Sequence, residues 1–436
     1  WVWNTTGLEG PQTITAVLDP TDRIQIGDEN TDNNVLTFTV DLLPRTSLPA
    51  PEQDAAWRTA ESVCCVFNYI SGTAAERDIE SIKAAADEAM SAVEEKMGRQ
   101  SQGKTTFNLI NRLLGHGGFA SDSVTVTYID RNYAGGNLEN VFKHEATHIL
   151  DRQIGGSEPS LITEGLATYI AGGHFKPEPY EPRMVGLLAL DRYLPLTGLA
   201  DDFYNSQHET GYLEGAAFIG YLVETYGWNR LVTLRGSFQS AASDSAMLDG
   251  GLRLTYEKSL AEIDTEWLAT LRAQRVDPRW QNDVADTLLL YDTIRRYQQA
   301  DDRSAHFLNA WIPDIDRAVR EDIVADYTRH PSAPENIAIE TILIDAYNAL
   351  VAGDYALAER DLDAVNAVLD GDGDFAADPL AADYLALTHS ALDAGYEPQR
   401  IVLLADRAAV TAIQLDDSPT LIELQLTREN GVWRVN

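Results

Sequence analysis

Cysteine is nearly absent from this chain: its 436 residues include two, Cys64 and Cys65, adjacent in sequence. Neighbouring cysteines close only a strained, rare ring, so the sequence offers no disulfide framework and no second pair for a cysteine-based zinc site. Both sit in an apolar run, 63–67, and read as buried small hydrophobes with no partner motif for a nucleophile. Positive charge is also scarce. Against 68 acidic side chains stand 33 basic ones, six of them lysine, for a net charge of −35. A field of that sign repels phosphate backbones and anionic lipid, which excludes nucleic acid as a partner. No run approaches the roughly 18 uninterrupted apolar residues of a membrane span; the best stretch, 184–200, is broken by Asp191 and Arg192. Phosphate-binding loops are missing too, since Gly115, Gly117 and Gly118 lack both a following Lys-Ser/Thr and dinucleotide spacing. The chain opens at Trp1 without Met or a basic, apolar leader, so we expect that an upstream part, an export signal included, has been removed.

What is present is globular, with 44% hydrophobic and 23% charged residues. The expected fold class is α+β, in three parts with a linker. Residues 1–45 alternate short β-rich runs (13–18, 23–26, 35–40) with turn clusters, and prolines 44, 49 and 51 mark a linker over 46–56. From 57 to 275 the pattern changes. Ile79, Ile82, Ala86, Met90 and Val93 share one face of a helix over 74–96, and 124–129 alternates as a strand. Helices are expected near 139–151, 159–171, 183–194, 212–226 and 259–273. Residues 276–436 read as mostly helical; 346–369 resembles one tetratricopeptide-like hairpin, with a second possible unit from Tyr384. The end, 420–427 and 432–435 around Asn430-Gly431, carries a β-hairpin signature. Asp370, Asp372 and Asp374 alternate as in a calcium loop, but Phe375 and Ala381 replace the residues such a loop needs, which favours a solvated turn. The net charge divides as −7, −10 and −18 over 1–56, 57–275 and 276–436. Acid excess with little lysine thus belongs mainly to the flanks and suits solubility in a salty or extracellular medium.

One segment carries chemistry: His144-Glu145-Ala146-Thr147-His148, then Glu164-Gly165-Leu166-Ala167-Thr168-Tyr169. Positions i and i+4 share a helix face, so His144 and His148 can present two imidazoles to one ion, with Glu145 beside them as base for a water. Glu164, on the next predicted helix, suits a third ligand, with Glu158 or His174 as alternatives. Three protein ligands leave a position for water, as catalytic sites require. Asp151 and Ile154 stand where the extended metzincin pattern has Gly and a third His. A preceding strand, 124–129, offers an edge along which an extended substrate can add itself. These features weigh against the plainer reading of an exposed polar helix face.

At these residues the chain resembles the gluzincins, specifically the bacterial peptidase MA-like zinc proteases, whose second helix reads Glu-Gly-Leu-Ala-x-Tyr. The likeness spans about 57–275 and continues through Gly211-Tyr212-Leu213-Glu214-Gly215 to Tyr226-Gly227-Trp228. Residues 1–45, through the motifs between Leu18 and Val40, resemble the last strands of a cell-adhesion-related (CARDB) immunoglobulin-like domain. The resemblance implies a zincin-like domain holding one Zn2+ per chain through His144, His148 and Glu164, with Glu145 as general base and protein or peptide as substrate. An oxyanion donor is then expected from Tyr212, His208 or Tyr204, Tyr212 being favoured and His208 contacting substrate. By its position one turn beyond His148, Asp151 is expected either to orient a ligand ring or to face solvent at the helix end. A secreted or cell-surface bacterial location is implied. The alternative is a surface adhesion or scaffolding protein with an inactive zincin-like module, against which the intact Glu145 argues.

Overall fold

A computed structural model describes residues 3–21, 23, 31–47, 53–115, 117–120, 123–153, 158–174, 176–306, 314–325, 327–415 and 420–436. Among them, eleven strands and fourteen α-helices make a mixed α+β protein. β1 (Gly10–Val17) and β2 (Val35–Leu42) pair antiparallel from Gly10↔Leu42 to Val17↔Val35, with most side chains exposed. The expected strand over 23–26, all but Arg23, lies outside the described residues, as do Pro49, Pro51 and Ile154.

β3 (Trp57–Glu61), β4 (Cys65–Ile70), β5 (Thr105–Ile110), β6 (Gly118–Ala120) and β7 (Val124–Thr127) form the central sheet, in the order β3-β4-β5-β7-β6. β4, β5 and β7 are parallel. Their β-branched and aromatic residues are almost all covered, as parallel strands flanked by helices require. β6 runs back antiparallel along β7 and forms the sheet edge. The strand expected over 124–129 therefore ends at Thr127 and lies one place inside the sheet. Three residues beginning with glycine show no alternation to read, and the true edge was missed for that reason.

α1 (Ala74–Met97) buries Ile82, Ala86, Met90 and Val93 and stops at Gly98, whose φ of 64° lets its N–H bond back to Glu94 and Glu95. α2 (Leu138–Arg152) starts at Asn137, whose side chain accepts from the backbone N–H groups of Glu139 and Asn140. α3 (Ser160–Ala171), α4 (Tyr180–Ala189), α5 (Leu196–Asp201) and α6 (His208–Tyr226) follow. α6 begins four residues before the expected 212 because the Gln207 side chain caps Thr210, a residue type seldom read as a cap. α7 (Trp228–Arg235), α8 (Asp244–Tyr256) and α9 (Leu260–Arg272) complete this half. α3 and α6 cross at two glycines. A Cβ on Gly165 would stand 2.6 Å from the Gly215 carbonyl group. Gly165→Ala is expected to push the helices apart and cost about 1–3 kcal/mol, read as a lower urea midpoint.

The second half contains α10 (Pro278–Asp301), α11 (Ile315–Glu321), α12 (Pro334–Ala352), α13 (Tyr355–Asp370) and α14 (Pro379–Asp393). β8 (Tyr396–Leu404), β9 (Arg407–Gln414), β10 (Leu421–Glu429) and β11 (Val432–Val435) then form one antiparallel sheet. The closing hairpin turns through Asn430 and Gly431, both at positive φ, as expected. β8 and β9 are additional to the mostly helical reading of 276–436; Ala408, Val410 and Ala412 of β9 are buried on one face. α12 and α13 form the expected helical pair, but Tyr384 lies within α14, which leads into β8 and not into a second repeat. Asp370, at the start of the acidic turn, pairs with Arg296.

The two halves share a core. Leu113, Tyr133 and Ala134 pack with Leu290, Ile342, Leu343 and Tyr384. Arg131, 1% exposed, reaches Glu340, Glu397 and the Pro331 carbonyl. Cys64 and Cys65 are joined in a disulfide, against the expectation of free thiols. The tight turn before β4, held by Asp87 accepting from Ser62 Oγ and the Cys64 N–H, accommodates that ring.

Candidate metal centre

The Phe142 ring meets Phe107 of β5 edge-on at 5.1 Å, and Ala146 and Leu150 are buried on the same stripe. That packing fixes the rotation of α2 and turns His144 and His148 towards α3. His144 Nε2 lies 3.1 Å from His148 Nε2 and 3.2 Å from Glu164 Oε2, which is 3.4 Å from His148 Nε2. Ligand atoms about 2.0–2.2 Å from a common ion at tetrahedral angles stand about 3.3–3.6 Å apart. The triangle is close to that size, and two imidazole nitrogens with one carboxylate oxygen suit a borderline divalent metal ion. The residues therefore fit the group that their spacing implied. Neither alternative third ligand joins them: Glu158 pairs with Arg235, and His174 bonds Glu209.

Charge in the triad follows from burial and proximity. Burial opposes ionisation of Glu164, but the two imidazoles outweigh it and hold the carboxyl well below its ordinary range. Burial disfavours charge on both rings. At His144 it prevails and lowers the pKa, whereas at His148 the attraction of Glu164, with Glu145 adding to it, raises it. Glu145 is raised by burial against the pull of the two histidines. Its Oε2 is buried without a hydrogen-bond partner among the described residues, so this carboxylate keeps an acceptor in hand beside the triad.

A cleft of about 380 Å³ opens over the triad, lined by β6 on one side and by Thr163, His174, Tyr204 and Tyr212 on the other. A Cβ on Gly118 would lie 2.7 Å from the Thr125 carbonyl oxygen and 3.5 Å from Glu145 Oε1, so glycine lets the edge strand pass close to Glu145. Arg152 ties that strand to α2 by donating to the Ala120 carbonyl.

The other expected residues take different places. Tyr212 forms part of the cleft wall, and burial holds its hydroxyl well above the ordinary range, so it stays a proton-bearing donor. Tyr204 is not directed to an oxyanion: its hydroxyl donates to Glu164 Oε1 at 2.8 Å, leaving Oε2 for the histidines. His208 does not line the cleft. With α6 starting at 208, its ring falls in the first turn and packs behind the wall, 4.7 Å from Tyr212 and 5.2 Å from His174. Asp151 lines the cleft but pairs with Arg235, which also holds Glu158, so its charge is directed to that guanidinium and not to a ligand ring. Sequence reasoning missed β6 and the His174–Glu209 pair; the only trace of β6 was the doubled glycine at 117–118.

Three other groups of potential ligands occur among the described residues. The sulfurs of Cys64 and Cys65 are bonded to each other beside Asp87. In the Asp302, His330 and Glu340 group, Glu340 is engaged by Arg131 and Tyr297. His174, His208 and Glu209 lie beside the main triad. The chain matches no protein-family model and no curated protein sequence.

If Tyr204 holds Glu164 in place for a metal, Tyr204→Phe should weaken metal affinity about 10–100-fold while leaving the fold unchanged. Competition with a chelator reads the first quantity and circular dichroism the second.

Proposed function

We propose that this protein is a zinc-dependent peptidase of gluzincin type. The observation that carries the reading is the convergence of His144 Nε2, His148 Nε2 and Glu164 Oε2 within 3.1–3.4 Å, with a buried Glu145 beside them in an open cleft. A zinc ion held by these three residues would supply Lewis acidity, polarising the scissile carbonyl and acidifying the attacking water. Glu145 takes the proton of that water and returns it to the leaving amine. Tyr204 keeps Glu164 oriented. β6 offers its outer edge to an extended peptide, which can pair with it as a further strand and place its carbonyl over the triad.

The Cys64–Cys65 disulfide supports a secreted or cell-surface setting, because such bonds persist in oxidising compartments. The deciding experiment is metal analysis of the full chain together with cleavage of a peptide library. One zinc per chain and chelator-sensitive hydrolysis support the reading. A zinc-loaded chain that cleaves nothing returns the protein to the adhesion or scaffolding class.

A further inference from the structure

A second cavity, of about 220 Å³ and sharing no lining residue with the cleft, opens where the end of α3, the start of α4, the middle of α6 and the end of α9 meet. Four aromatic residues line it: Tyr169, Tyr180, Tyr221 and Trp267. The Tyr169 and Tyr180 ring centroids are 6.1 Å apart, and those of Tyr221 and Trp267 6.3 Å. Trp267 is 2% exposed and braced by Phe218 at 5.5 Å, so this wall is fixed before any ligand arrives. The Tyr180 hydroxyl donates to the Thr168 carbonyl, and that of Tyr221 bonds Tyr226. Gly220, in the interior of α6, lines the cavity too. Glycine inside a helix costs stability relative to alanine, yet neither backbone nor packing demands it here. Its φ is not positive, and a Cβ would meet only the Tyr169 ring, at 3.4 Å, an ordinary contact. The missing side chain leaves open space among the rings.

The lining includes two glutamates, Glu181 and Glu224, and no basic residue. Glu181, in the first turn of α4, offsets the positive end of that helix and accepts from Gln274. Glu224 is exposed, and after burial its charge is what raises the Tyr169 hydroxyl. Lys96 Nζ already lies 4.6 Å from the Tyr169 ring centroid, so that ring serves as a cation acceptor within the fold itself. Aromatic walls under negative charge select cations. A primary ammonium or a guanidinium needs an acceptor for each N–H, and here the phenol oxygens of Tyr180 and Tyr221 and the Glu181 carboxylate already have partners. A quaternary ammonium has no N–H and needs only ring surface and nearby negative charge. The cavity is also below the roughly 300 Å³ at which drug-sized ligands begin to fit, which suits a single head group. We propose that it binds a small molecule bearing a quaternary ammonium group, whose methyls pack on Tyr169, Tyr180, Tyr221 and Trp267 while Glu224 supplies the countercharge. Neither the metal nor the peptidase reading enters this inference.

Calorimetric titration of the full chain with choline chloride tests the site, with dimethylbutanol, the same shape with carbon for nitrogen, as the uncharged comparison. Choline should bind at one equivalent, and the alcohol about tenfold or more weakly. Gly220→Leu, which fills the cavity, and Tyr221→Leu, which removes a ring, should each weaken choline about tenfold or more, whereas Tyr221→Phe should keep it. Glu224→Gln should weaken it about two- to fivefold. Circular dichroism establishes that each variant is folded, and should Gly220→Leu not fold, Tyr221→Leu at its half-buried position decides. Equal binding of the alcohol overturns the proposal, as does tighter binding of butylammonium, methylguanidinium or a trimethyl-lysine peptide than of choline. Parent-like affinity in either folded leucine variant, or no choline binding by the parent chain, also overturns it.

Discussion

Glu145→Gln is expected to bind a full equivalent of zinc and to hydrolyse peptides about 10²–10⁴-fold more slowly than the parent chain. The side chain is 4% exposed and does not belong to the triangle of His144, His148 and Glu164, so an amide of the same shape disturbs neither packing nor that convergence. What it removes is the ability to accept a proton. Burial also raises the carboxyl of Glu145 above its ordinary value, which would suit the base role proposed for it. Zinc analysis and initial rates on one cleavable peptide check both halves of the expectation. Parent-like turnover in this variant would place the hydrolysis elsewhere.

Glu164→Ala is expected to lose zinc outright. Removing an outer partner of a ligand costs about 10–100-fold in affinity, and removing the ligand itself should exceed that, leaving less than a tenth of an equivalent after dialysis. The variant also takes away the anion that the two imidazoles face at 3.2 and 3.4 Å, so His148 loses the attraction that raised its pKa. Glu158→Ala serves as the comparison: its carboxylate is engaged by Arg235 and should leave zinc in place. Zinc retained by Glu164→Ala and lost by Glu158→Ala would reverse the ligand assignment.

The helix pair that carries the triad was legible in the sequence because periodicity and spacing are local properties. Two histidines four apart and a second helix bearing Glu164 predicted the elements and the face they share. What remained hidden depends on contacts distant in sequence. Tyr204 meets Glu164 across 40 residues and Glu209 meets His174 across 35, and no repeat or motif marks either pair. β6 is too short for alternation, and β9 buries Ala408 and Ala412, whose helical propensity points the wrong way. The Asp151 expectation went astray for a related reason: helix geometry placed it on the ligand face, but Arg235, from a helix more than 80 residues later, claims its charge.

Arg131 and the core beneath it bear on how much of the chain makes a working unit. Tyr291 and Arg295 of α10 stand behind the cleft wall: the Tyr291 ring lies 6.4 Å from that of His208, and Arg295 donates to the Gly115 carbonyl ahead of β6. A chain cut at residue 275 would uncover Leu113, Tyr133 and Ala134, strand a buried guanidinium without Glu340 and Glu397, and release the segment leading into the edge strand. The N-terminal half is therefore not a portable cassette. A fragment that keeps this core intact has to include the helices and sheet that follow it.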